Sequence, residues 1–443
     1  MPPPSLRPRS SRAAYRSRSP RIAGVAGAAA LTGVALLVSG CGASGGDTQE
    51  DAGQDPGAAT SSATTLATSD TTRASEPGKG PPCPEDACFT VAMTGDLLLH
   101  EGLWRNFAVD PATNGGKHFD FDPLLAGQKP YLDQSDVAIC EMETPVAPEG
   151  GPYSAYPSFS VPPEITVAAK NTGYDACTSA TNHTVDRGTE GVNRTLATLD
   201  EAGLEHTGSY ASERASEEPM LLETPAGTVA VVTGTNSLNG QQAEHDWQVD
   251  RLRDPAEEPQ AARQDIDRAV AQAKKAREQG ADVVIAAMHS IIEYRDDADA
   301  YQRTTAHSLI DSGAFDAVYG HGSHSVQPIE HYNGKWIVYG LGNTVTETSP
   351  AYENNNQGLI TRFQFARGDD GAWRVSDLAW APSSNTQDGR FQWCSTASDQ
   401  PNGVCRSPQD DRQIRERIAG IVTTDSATAN GLREWRVTEE TGN

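Results

Sequence analysis

The segment His321-Gly322-Ser323-His324 sets two imidazoles three residues apart, directly after the apolar run 316–320. The small residues between them allow a tight loop that aims both rings inward. Three other apolar runs end in residues that bind metals: Asp96 after 90–95, Asn182 with His183 after 176–181, and His289 after 282–288. Imidazole, carboxylate and amide donors together suit Mn, Fe, Zn or Mg rather than copper. They outnumber what one tetrahedral zinc needs. Two divalent ions held this way polarise an ester or amide and activate water.

Further residues fall near these positions. Glu141 and Glu143 lie two apart in the run 137–144, which Pro145 stops, so an extended chain sends both to one side and either carboxylate can bind metal. His183 beside a phosphate can act as a general acid, with Asp186 three residues on to orient it. His100 lies four residues after Asp96, and Glu293 four after His289. The run 336–343 ends Tyr339-Gly340-Leu341-Gly342-Asn343, whose glycines permit close backbone approach.

These residues need a scaffold that delivers ligands from several strand ends to one edge. Strand-like runs occur at 89–93, 137–140, 174–179, 229–233, 283–287, 317–319 and 336–339. Helical patterns lie between several of them: 190–202 before Gly203, 261–279 before Gly280, and 302–311 near Gly313, each with a C-cap signal. Alternating strands and helices predict an α/β layered domain with its site at the carboxyl ends of the strands. Runs 359–365 and 373–378 predict a closing hairpin around residues 368–371. Long loops are expected at 149–163 and 239–260, and a last helix at 409–422, after which the chain frays.

The ends carry a different message. Arg7, Arg9, Arg12, Arg16, Arg18 and Arg21 precede an apolar run, 22–38, that breaks into Val38-Ser39-Gly40-Cys41. This looks like a bacterial lipobox, with residues 1–40 removed as a signal peptide and a lipid on Cys41. The expected location is the outer face of the cell membrane, anchored but not spanning. Residues 41–82, rich in Gly, Ala, Ser and Thr, read as a disordered tether. The main domain then runs 83–390, with a disulfide loop, helix and frayed tail at 391–443. Six cysteines remain after Cys41, an even number in an exported chain. Proximity suggests Cys83–Cys88, Cys140–Cys177 and Cys394–Cys405, one of fifteen connectivities. The formal charge is −25, from 35 basic and 60 acidic residues. Losing the six leader arginines leaves 29 basic residues against 60, or −31. Such a surface repels nucleic acid, whereas bound metal can invert the field locally for an anionic substrate.

The ordered set Gly95-Asp96, Glu143-Thr144-Pro145, Asn182-His183-x-x-Asp186-x-Gly188, His289-x-x-x-Glu293-Tyr294, Gly320-His321-x-x-His324-x-x-Gln327 and Tyr339-x-Leu341-Gly342-Asn343 resembles the CapA family of capsule or poly-γ-glutamate biosynthesis proteins. The resemblance covers about residues 89–345. It implies a calcineurin-like metallophosphatase fold, a β-sandwich flanked by helices. It implies metal ligands at Asp96, Glu143, Asn182, His289, His321 and His324, holding two divalent ions. His183, Asp186 and His100 are the expected catalytic residues, and Glu293, Tyr339 and Asn343 the expected substrate contacts. The implied partners are an anionic polymer or phosphoester substrate and a membrane synthesis or export complex. The chain departs from the family pattern at Glu141, where Asn is usual, and at Thr181, Ser290, Ile291, Gly340 and Thr344.

Overall fold

The computed structural model describes residues 80–347 and 352–440. Cys41, the targeting segment and most of the tether lie outside the described residues.

Two sheets face each other. The first has nine strands: β1 (Cys88–Leu97), β2 (Val137–Glu141), β3 (Ala176–Thr178), β4 (Glu205–Thr207), β11 (Asn343–Val345), β12 (Gln357–Arg367), β13 (Trp373–Gln387), β14 (Arg390–Ser395) and β15 (Arg433–Glu434). The second has six: β5 (Met220–Glu223), β6 (Thr228–Thr235), β7 (Val283–His289), β8 (Ala317–His321), β9 (Ile329–Tyr332) and β10 (Lys335–Val338). The order in the first sheet is β14-β13-β12-β1-β2-β3-β4, with β11 also on β1 and β15 on β13; in the second it is β5-β6-β7-β8-β10-β9. β1 to β4 are mutually parallel, as are β6, β7 and β8. The β12–β13 pair forms the expected hairpin, antiparallel across the turn at Gly371.

The two-residue period of each strand sorts side chains between layers. Val91, Met93, Val137, Ile139, Val283, Ile285 and Tyr319 pack together between the sheets. The intervening Val284, Ala286 and Val318 pack with Ala269, Ala273 and Leu309 of the helices Pro259–Glu278 and Ala300–Asp311. Ala138 and Cys140 face Ile165 and Ala168 of the helix Glu164–Thr172 on the far side of the first sheet. The result is a sandwich with helices outside both sheets. Gly203 closes the helix Gly188–Ala202 in the left-handed conformation that a glycine allows.

All three proximity-suggested disulfides are formed. Cys140 and Cys177 sit opposite one another in the β2–β3 register. The C-terminus corrects the expected fray and the domain limit at 390. β14 and β15 join the first sheet, and Trp393 and Trp435 are fully buried in its outer core. Two large aromatics at those positions remove more apolar surface from water than a frayed tail would.

The 239–260 loop is tied down at Asp250, whose carboxylate accepts from the Tyr210 hydroxyl at 2.7 Å and from Gln272 at 3.2 Å. Burial pushes this carboxyl up to about 6, against the opposing hydrogen bond of Tyr210 and the nearby Arg268. A raised folded-state value contributes stability that is full below the unfolded value near 3.8 and is lost as pH rises through 6. The expected loss between pH 4 and 6 is about 2 kcal/mol. Denaturant titrations of the wild type and Asp250→Asn across this range should show the wild type losing that much more than the variant. Parallel curves would exclude Asp250 as the source.

Candidate metal centre and its cavity

The strand period that builds the core also aims the site. Val137 and Ile139 face the inter-sheet core, and the same spacing carries Glu141 to the end of β2. Val283, Ile285 and Ala287 lead to His289, and Ala317 and Tyr319 lead to His321. Asp96 lies near the end of β1, in register with Glu141 on one side and Asn343 on the other. The first sheet thus presents carboxylates and the second imidazoles, and they meet at one edge.

Asp96 is the centre of the group. Its Oδ1 lies 2.9 Å from His321 Nδ1, and its Oδ2 lies 3.1 Å from His324 Nδ1. The Gly322 N–H donates to the same carboxylate at 3.1 Å. His324 Nδ1 also lies 3.0 Å from Asn343 Oδ1, and its Nε2 3.6 Å from Glu143 Oε1. His289 has Glu141 at 3.1 Å from Nδ1 and Asn182 Oδ1 at 3.0 Å from Nε2. Gly322 has φ of +78°, and a Cβ there would come within 2.8 Å of His289 Nε2. A side chain at 322 would therefore push the two imidazole-bearing loops apart.

These residues fit bound cations. Ligand atoms of Asp96, Glu141 and His321 lie within 4.8 Å of one another, as do those of Asp96, Glu143 and His324, so Asp96 belongs to both groups. Both carboxylate oxygens of buried Glu143, and His321 Nε2, have no hydrogen-bond partner. Unpartnered buried acceptors are costly, and a cation at this point would satisfy them. Among the described residues, no lysine or arginine pairs with Asp96, Glu141 or Glu143. Electrostatics express the same crowding. Burial pushes the Glu141 and Glu143 carboxyls up, reinforced by the Asp96 charge. Burial acts on Asp96 too, but the hydrogen bonds of His321 and His324 outweigh it and hold that carboxyl well below the usual range. His324, despite burial, is pushed up to about 10 by Glu143 and Asp96, whereas burial takes His289 down to about 4.

The centre opens into a cavity of about 910 Å³. His183 lines it, and its Nδ1 lies 2.7 Å from Asp186 Oδ2. The other Asp186 oxygen accepts from Gln241 Nε2 at 2.9 Å, and the Phe159 N–H donates to Oδ2 at 2.8 Å. With Nδ1 engaged, Nε2 is the His183 nitrogen available to the cavity. His100 and Glu293 also line the wall, His100 taken down to about 4 by burial and by the neighbouring His324 and His183. The rim is aromatic: Tyr294 stacks on Tyr352 at 3.7 Å, and Tyr156 is 73% exposed.

The structure therefore gathers Asp96, Glu143, Asn182, His289, His321 and His324 at one point, with His183, Asp186, His100, Glu293 and Asn343 around it. Tyr339 is the exception. Trp336 and Val338 face the inter-sheet core, so Tyr339 turns the other way, into the helix layer. There its hydroxyl donates to Glu330 at 2.6 Å. Glu141, one of the two carboxylates that the spacing offered, joins the centre as well as Glu143; residues not singled out are Asn239, Gln241, Phe159 and Tyr352. The strand period signals Glu141; the loop residues carry no local signal beyond the length of their loops.

Segment 90–348 matches the family model described as "Bacterial capsule synthesis protein PGA_cap". A "Probable polyglutamine synthesis accessory protein" of Mycobacterium tuberculosis is 29% identical over 221 residues, covering 48% of this chain and 56% of that protein. The "PGA biosynthesis protein CapA" of Bacillus subtilis is 24% identical over 259 residues, covering 58% of this chain and 65% of that protein. The match spans less than two thirds of either relative. The calcineurin-like phosphoesterase YfkN from Bacillus subtilis superposes on 75% of this chain and 99% of its own, with a TM-score of 0.41 and 15% identity. Since the family match takes in every residue of the centre from Asp96 to Asn343 and more than half of the 443 residues, the chain belongs to the bacterial capsule synthesis protein family PGA_cap.

Proposed function

We propose that this protein is a metal-dependent hydrolase, anchored by a lipid on Cys41 at the outer face of the cell membrane. It would act on a phosphoester or a γ-glutamyl amide in capsule or poly-γ-glutamate synthesis or processing. The observation that carries the reading is Glu143: a buried carboxylate with no hydrogen-bond partner, 3.6 Å from His324, which itself lines the large cavity. Asp96, Glu141, Glu143, Asn182, His289, His321 and His324 would hold two divalent ions. When bound, such ions act as Lewis acids on the scissile group and lower the pKa of water. The remaining work falls to this chain's own residues. His183, held by Asp186, would deliver a proton from Nε2 to the leaving group. Tyr156, Tyr294 and Tyr352 would give the substrate an aromatic surface at the rim, and Glu293 a carboxylate on the wall.

The deciding experiment is metal analysis of the protein purified without chelator, alongside His321→Ala/His324→Ala. The manganese-, iron- and zinc-loaded forms would be assayed on phosphodiesters and γ-glutamyl oligomers. Two metal equivalents that disappear in the double variant, with turnover by the wild type, support the hydrolase. Bound metal with tight polymer binding and no turnover moves the assignment to a non-catalytic component that holds acidic polymer for export. No bound metal in any form rejects both.

A further inference from the structure

A second cavity, of about 380 Å³, carries Arg390 and Arg406 in its wall, with Asn356, Thr386 and Asp410. It shares a boundary with the metal cavity. The short turn Glu353–Asn356 gives Asn355 to the metal cavity and Asn356 to this one. Consecutive Cα atoms are only about 3.8 Å apart, so one turn of chain forms part of both walls.

The fold builds this wall deliberately from distant segments. Asp388 and Gly389, both at positive φ, make the two-residue turn between β13 and β14 and set Arg390 opposite Gln387. The Cys394–Cys405 disulfide and the Asp388 N–H donating to the Cys405 carbonyl at 2.8 Å bring Arg406 against that turn. Neither guanidinium has a hydrogen bond or ion pair with any described residue. The nearby carboxylates are engaged at the start of the helix Pro408–Val422. Asp410 accepts from the Ser407 hydroxyl at 2.9 Å, and Asp411 accepts from the N–H groups of Cys405 and Arg406.

Two unpaired guanidinium groups in a concave wall form an anion receptor, and their planar forks match carboxylates. The setting sharpens this. The chain is formally −25, and the metal cavity has no lysine or arginine in its lining, so an acidic chain leaving the metal centre meets unpaired positive charge at Arg390 and Arg406. We infer that the Arg390–Arg406 cavity is a subsite for carboxylates further along the same acidic polymer whose scissile group sits at the metal centre. This rests on the hydrolase reading only for what lies at the metal end.

The test uses the full chain loaded with manganese and fluorescently labelled oligo-γ-glutamates of two and ten residues, followed by anisotropy. The decamer should bind on the order of tenfold more tightly than the dimer, because it engages both places at once. Arg390→Ala/Arg406→Ala should bring the decamer to the dimer's affinity, with dimer binding and metal content unchanged. Arg390→Lys/Arg406→Lys should recover part of the difference. A length preference that survives the alanine pair overturns the subsite, as does equal loss for dimer and decamer. Arginine-dependent binding of oligo(glycerol phosphate) with no response to oligo-γ-glutamate overturns the carboxylate assignment. A wild type that hydrolyses nothing, yet keeps the arginine-dependent length preference, rejects the hydrolase and supports the subsite.

Discussion

Asp96→Asn should empty the centre of both ions and lower turnover on the order of a thousandfold or more, since metal charge at the reacting group is worth several kcal/mol. Asp96 is the one side chain common to both ligand groups. Its carboxylate also ties the two sheets together, meeting His321 and His324 from the second sheet and the Gly322 N–H. An amide keeps the shape but loses the charge and half of the acceptor capacity. With Glu141 and Glu143 already pushed up by burial, the site would then lack the anion that anchors divalent ions most firmly. Metal analysis checks the first part and steady-state kinetics the second. Glu293→Gln, on the exposed wall of the cavity, is the control that should keep full metal content. An Asp96→Asn protein that retains two equivalents would show that the shared carboxylate is not needed to hold the ions.

Asp186→Asn should leave metal content intact while lowering turnover by about a hundred- to ten-thousandfold, the range for loss of a positioned acid. Asp186 accepts from His183 and from Phe159 N–H through Oδ2, and from Gln241 through Oδ1. With the carboxylate present, His183 keeps its proton on Nδ1 when neutral, and gains a partner when charged. An asparagine can present its N–H₂ to Nδ1 instead, which selects the wrong tautomer. The loss should be largest for substrates with poor leaving groups and small for nitrophenyl esters, whose departing oxygen needs little protonation. Equal loss of metal and turnover would refute this role and make Asp186 a structural support for the loop that carries Asn182.

The sequence could announce the centre because its ligands obey short-range rules. Each of Asp96, Asn182, His289 and His321 follows an apolar run, and parallel strands in an α/β domain deliver their carboxyl ends to one edge. Strand period alone places Glu141 with Val137 and Ile139, and excludes Tyr339 by setting it with Ile337. Both facts were available in the order of residues. The disulfides were legible for a similar reason, since Cys83–Cys88 and Cys394–Cys405 close short loops. The amino-acid order by itself therefore determined the strands that end in these ligands, their alternation with helices, and the ligand types.

What only the tertiary structure decided is everything that depends on two distant segments meeting. Gln241 reaches Asp186 across 55 residues, and Arg406 reaches the Arg390 turn through a disulfide. The C-terminal segment is too short to announce a strand, yet β15 adds to β13 and Trp435 fills the outer core. Such contacts leave no periodic trace, because their energy comes from surface buried between segments that local propensity treats as separate loops.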